Sequence, residues 1–462
     1  MEQDFSWDML RWQDLYLAPL CLLLVYFAAR FYVKKYRNTP IGKYVVPAVT
    51  LRLVGAFTYT LVIGFYYGFG DSHNYYQGLI DMFHAVKDDG SMLGNIVMKG
   101  KVEETDPLYR YFYYDGTYAL KYYILEPRTY NVPRFALPFG LLFNRSFLCV
   151  SFCLSFLAFM GTWRLYKMFY ELYPHLHKKL AYAVLFMPST LFWGVSLLKD
   201  TFCMAAMGFF VYAAYSVLIK KKNIISSLLI LYITSLVLLS LKPYILVSLS
   251  AVFLLWYFIR FRQRIEDKTL RAVSTFGFVA IAAAAGFFVS QGVASAESKE
   301  QFASEEILKT VQAQQATFSG NPEEGSASNF SVGTASSPAQ MAAMLPLGIV
   351  NTYFRPFPWD IRSPVMIISF LESFAFLVLT LMVFRRVGFG KTFSMIFSDP
   401  VIAFCFVFAI LFGAVIGITT TNFGALVRYK IPSLSFYAVA FILVMEKSGK
   451  FSKDYIFSKK LF

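Results

Sequence analysis

The chain has 462 residues, of which 57% are hydrophobic and only 15% charged, with a mean hydropathy of +0.52. A water-soluble globular domain carries roughly 25% charged residues, so a soluble core is excluded and the bilayer is the solvent for most of the sequence. The formal charge of +15 does not point to nucleic acid, because the Lys and Arg residues fall in short loops between apolar runs and not on one basic domain.

The first residues, MEQDFSWDMLRWQDLYLAP, hold no basic stretch and no small-residue cleavage site, so the apolar run from Leu15 is expected to stay as a membrane helix. A span needs about 20 apolar residues. On that ruler the chain reads as an all-α polytopic integral membrane protein of about eleven spans. They lie near 15–33, 49–69, 143–163, 180–198, 201–219, 224–241, 244–260, 272–290, 365–384, 401–419 and 431–445. Residues 1–290 form an N-terminal helical membrane module that includes an outer segment, 71–142. Residues 291–342 are poor in apolar side chains and are expected to be a mobile outer loop, with a short helix near 302–314. Residues 343–462 form a C-terminal helical membrane module.

Basic clusters at 34–43, 164–179, 220–222, 260–264 and 385–386, and the Lys-rich C-terminus, all fall on one side of an eleven-span chain. The positive-inside rule makes that side cytoplasmic, with the N-terminus periplasmic and the C-terminus cytoplasmic. The reading is of a multi-pass protein of a bacterial inner membrane.

Cys21, Cys149, Cys153, Cys203 and Cys405 all lie in apolar segments, where a thiol packs as a small hydrophobe. His73, His84, His175 and His177 make no HExxH-type motif, so any metal would have to be held by carboxylates.

The informative residues are charges at the outer ends of spans, where they are costly unless paired, interfacial or in a wet cleft. Asp71 follows the glycine-containing GFYYGFG run. It suits a general base or a carboxylate for a divalent cation; a helix-stopping interfacial carboxylate is the plainer alternative. Lys199 and Asp200 interrupt a long apolar stretch, and Lys242 marks a second outer turn; each lysine suits a phosphate, although a tight hairpin alone would account for it. In NTYFRPFPWDIRSP, prolines stiffen a turn carrying Arg355, Trp359 and Asp360, with Trp359 able to stack on a sugar ring. Glu372 lies inside the next apolar helix and is expected to face the bundle interior as a buried charge paired with Lys or Arg, or protonated. Arg428, in TTTNFGALVRYKIPSLSF, is the strongest anion-binding candidate, its planar fork matching a phosphate.

Taken together, FGDSHNYY, the SLLKD turn, FRPFPWD and NFGALVRYKIPSLSF resemble, in layout, polyprenyl-phosphate-dependent membrane glycosyltransferases of the GT-C superfamily. The resemblance implies a helical bundle with an outer-face cleft. It implies transfer of a sugar from an undecaprenyl-phosphate-linked donor to an envelope acceptor, with Asp71 as general base and Arg428 as phosphate clamp. Lys199, Asp200, Lys242, Arg355, Trp359 and Asp360 would be substrate contacts. It implies no certain cofactor; its partners are a polyprenyl-linked sugar and outer-leaflet lipid, with an envelope protein as a further candidate. The alternatives are an O-antigen-type polysaccharide polymerase, a lipid-linked substrate transporter or flippase, and a structural subunit of an envelope complex.

Overall fold

The computed structural model describes residues 9–68, 70–112, 127–267, 337–362 and 364–450, with short pieces at 269–271, 273–275 and 311–313 and single residues at 315, 330 and 333. Among the described residues no β-sheet forms. Eight of the described helices are long and apolar enough to cross a membrane, or nine if one bent pair near the C-terminus counts as a span. Two expected spans are missing from that number. The one at 272–290 lies almost wholly outside the described residues, as does most of the expected 291–342 loop, whose last residues from Pro338 are instead helical; of the short helix expected near 302–314, residues 311–313 are described and helical. The other, 180–198, is not one straight helix. Packing divides the chain into two units, Met1–Leu246 and Val247–Phe462.

The first unit runs through α1 (Asp14–Lys35), α2 (Val45–Leu61, continued by a π turn to Tyr67), α3 (Asp71–Asp88), α4 (Met92–Met98), α5 (Tyr109–Phe112), α6 (Pro127–Leu142), α7 (Phe147–Leu172), α8 (His177–Leu185), α9 (Pro188–Trp193), α10 (Lys199–Tyr215) and α11 (Ile224–Leu241). Helix α7 begins because Ser146 caps it, accepting a hydrogen bond from the Cys149 N–H at 3.1 Å. It and α10 each bury 72% of their most apolar stretch, against 22% for α1 and α11; α7 and α10 are therefore the centre and the others face lipid.

Side-chain contacts fix the helix directions. Cys21 of α1 lies against the Cys149 carbonyl at 3.6 Å, and Tyr36 packs on Trp163 with ring centres 5.3 Å apart, so α1 runs parallel to α7. Tyr44 packs on Tyr166 and Arg52 bonds Thr162 at 3.1 Å, so α2 runs antiparallel. Tyr212 and Lys220 both reach Glu171, at 3.0 and 2.8 Å, and a Cβ on Gly208 would stand 2.0 Å from the Gly161 carbonyl oxygen; α10 is thus parallel to α7.

Two parallel neighbours demand a return path. Residues 173–198 supply it: Tyr166 donates to the His177 carbonyl at 2.9 Å, while Ser196 meets Ser151 at 2.9 Å near the start of α7. Between those contacts the chain climbs back along α7 from Tyr166 to Ser151, about 22 Å at 1.5 Å per residue. The path is broken because Pro188 has no N–H with which to continue α8.

The second unit carries most of α12 (Pro243–Arg262), then α13 (Pro338–Phe354), a 3-10 turn (Pro358–Asp360), α14 (Pro364–Val387), α15 (Phe389–Ser398), α16 (Pro400–Thr419), α17 (Phe423–Tyr429) and α18 (Ile431–Lys447). Proline opens α12, α13, α14 and α16, a position where its missing N–H costs nothing. Asp399 adds a cap to α16, accepting from the Val401 and Ile402 N–H groups at 2.9 and 3.2 Å. Helices α13 and α16 touch backbone to backbone at Gly348 and Gly417. The α17–α18 pair bends by 61°, with Lys430 at the bend.

Candidate functional site

In the first unit the chemistry gathers at the end where α7 and α10 begin. Helix α3 starts behind Gly68 and Gly70, whose φ angles of +70° and +151° suit glycine. The amphipathic α3 then lies on the bundle: Tyr76 donates to the Arg145 carbonyl at 2.9 Å, and Leu79 occupies the space left by Gly140. Asp71 is the first residue of α3 and half-buried. Its neighbour Ser72 is buried and pinned. The Tyr59 hydroxyl meets Ser72 Oγ at 2.7 Å, and Ser72 donates to the Leu197 carbonyl at 3.3 Å. That ties the start of α3 to the turn just before Lys199. His73, also buried, has its pKa lowered by desolvation, which keeps the imidazole neutral at pH 7.

The structure brings three of the expected site residues of this unit to that same end. Lys199, half-buried, donates to Thr129 at 3.1 Å. Asp200 and Lys242 are joined to each other at 2.5 Å, with side-chain exposures of 1% and 7%. They are paired with each other, and the pair joins the start of α10 to the end of α11.

In the second unit Arg355 grips Asp360 with two bonds, Nε to Oδ2 at 3.0 Å and Nη2 to Oδ1 at 2.8 Å. The Phe357 N–H adds a third at 2.9 Å. Burial alone pushes the Asp360 carboxyl up, but the Arg355 and Phe357 hydrogen bonds and the Arg355 charge prevail and hold it below its usual range. The Arg355 guanidinium also covers the Phe330 and Phe423 rings, at 4.5 and 5.0 Å, so this pair too is a built structural joint. Trp359 is 77% exposed and stacks on Phe357 at 5.0 Å. Arg428 is half-buried on α17, its guanidinium 5.5 Å from the Tyr429 ring, and Asn422 caps that helix through the Ala425 N–H at 3.1 Å.

Glu372 is buried, and it is the charge that acts on Lys430. Lys430 was legible as one more basic residue before the last span. The structure makes it a fully buried cation, donating to Ser373 at 2.9 Å and reaching the Arg355 carbonyl at 3.5 Å. Sequence reasoning also passed over Arg52, although a lone charge inside an apolar span is itself the signal.

Among the described residues no three His, Cys, Asp or Glu side chains come together in a way that could hold a metal; a divalent cation at Asp71 would take its remaining ligands from water or substrate. Compared with family models, curated proteins and solved structures, the chain matches none.

Proposed function

We propose that the protein transfers a sugar from a polyprenyl-phosphate carrier at the outer face of the membrane, with Asp71 as general base. The observation that supports this reading is the setting of Asp71: half-buried, opening α3 behind a two-glycine turn, and pinned through Ser72 to the turn that carries Lys199. A carboxylate held in place beside the headgroup region can take the proton of an acceptor hydroxyl. Lys199 supplies positive charge for the phosphate released. Arg428, half-buried beside Tyr429, is a separate candidate for a phosphate in the second unit. Asp200 with Lys242, and Arg355 with Asp360, are assigned to scaffolding because each pair already neutralises itself.

In this reading the chain crosses eleven times, with α8 and α9 together as one broken crossing, and the fold is a GT-C-like bundle. Lys34, Lys35, Lys178, Lys220, Lys221 and Lys222 belong to the opposite end of the first unit from Asp71, so the positive-inside rule places that end in the cytoplasm and Asp71 outside.

The test is release of undecaprenyl phosphate from lipid-linked sugars by the reconstituted protein. Asp71→Asn should lower the rate by about 10²-fold or more, the scale of general-base catalysis, with an unchanged melting midpoint. Full transfer by a well-folded Asp71→Asn protein would overturn the assignment.

A further inference from the structure

Arg52 sits in the span Gly42–Tyr67, about 15 Å along the helix axis from the Gly42 end. It is 1% exposed. One bond is made, Nη2 to Thr162 Oγ1 at 3.1 Å, while Nε and Nη1 are sealed from solvent and meet no acceptor among the described residues. Among the described residues no acidic side chain pairs with the guanidinium. Arginine does not escape by losing its proton, and a buried, uncompensated charge is strongly unfavourable. Buried donors in native proteins find an acceptor.

A second observation concerns what lies opposite. Along α2, Arg52 stands between Tyr44 and Gly55. Tyr44 packs on Phe186 with ring centres 6.5 Å apart, and a Cβ on Gly55 would stand 1.9 Å from the Leu191 carbonyl oxygen. Phe186 and Leu191 bracket the break between α8 and α9, so the break is level with Arg52. Irregular backbone at membrane depth is stable where it is enclosed by protein or lines a binding site, and broken helices are a recurrent way of placing an ion there.

We propose that Arg52 holds a small monovalent anion of halide size inside the first unit, among α2, α7 and the broken α8–α9 segment. One guanidinium with two spare N–H groups matches one negative charge. Water would satisfy the donors but leave the charge uncompensated. A phosphate would bring more charge and more acceptors than these two donors meet.

The experiment is thermal unfolding of the purified full-length protein in nonionic detergent, with chloride exchanged for gluconate at constant ionic strength. The midpoint should rise by a few degrees for each tenfold increase in chloride above its dissociation constant. Arg52→Gln should remove that dependence, and Arg52→Lys, which keeps the charge, should retain a weaker one. Equal midpoints for the wild type in chloride and gluconate would overturn the proposal, as would an unchanged chloride response in Arg52→Gln. Should Arg52→Gln fail to accumulate, bromide decides: crystals of the wild type grown with bromide should show an anomalous peak beside the guanidinium, and a map without one ends the proposal. Satisfaction of Arg52 by backbone carbonyls at the break would give no anion response and no peak.

Discussion

Burying Asp200 and Lys242 against each other is stable only while both are present. Removing one partner of such a pair leaves an uncompensated charge and typically costs about 3–5 kcal/mol, whereas an apolar pair of similar volume is tolerated. Lys242→Ala should therefore lower the unfolding midpoint sharply, and Asp200→Leu combined with Lys242→Met should recover most of the loss. A double variant as unstable as the single one would show that the charges do more than neutralise each other. At Asp360 the sign of the pH effect follows from its depressed pKa. The Arg355–Asp360 joint contributes stability that is present above the ordinary aspartate value and lost as pH falls through the lower folded value. Acid titration should therefore destabilise the wild type below about pH 4, and that part of the slope should be missing in Asp360→Asn.

Element packing depends on where side chains are absent. Helices α7 and α10 meet at Gly161 and Gly208 so closely that a Cβ on either would overlap backbone. Small residues are what let membrane helices approach in this way. Gly208→Val should abolish the folded protein, read as loss of a monodisperse peak on size exclusion, while Gly64→Ala, with open space around its Cβ, should leave it intact. This scale also shows where the sequence was readable. Runs such as 224–241 and 401–419 are uniformly apolar and bounded by Lys, Pro or polar turns, so length alone located α11 and α16. The 180–198 run is also largely apolar, yet Pro188 and Gly194 split it. Only the parallel packing of α7 and α10 reveals that it travels the length of its neighbours.

For the molecule as a whole, charge position was legible and charge partnership was not. Asp71, Lys199, Asp200 and Lys242 lie at one end of the first unit, as span counting indicated. Nothing in the sequence separates Asp200, which pairs with a lysine 42 residues away, from Asp71, which opens an amphipathic helix. Long-range pairs of this kind depend on which helices become neighbours, and helix lengths do not specify that. Arg355 and Asp360 stand five residues apart on a turn stiffened by two prolines, so their closeness was legible; Glu372 and Lys430 are 58 residues apart, with α15, α16 and α17 between them.

Sugar transfer at the outer face requires the Asp71 end of the first unit to face out of the cell. A cysteine-free variant carrying single cysteines at Gly70, Gly424 or Lys221 can be treated, in intact cells whose membrane containing the protein is accessible from outside, with a membrane-impermeant maleimide. Labelling at positions 70 and 424, with position 221 labelled only after lysis, is the expected pattern. Labelling of position 221 in intact cells, with position 70 protected until lysis, would put Asp71 in the cytoplasm and contradict sugar transfer at the outer face.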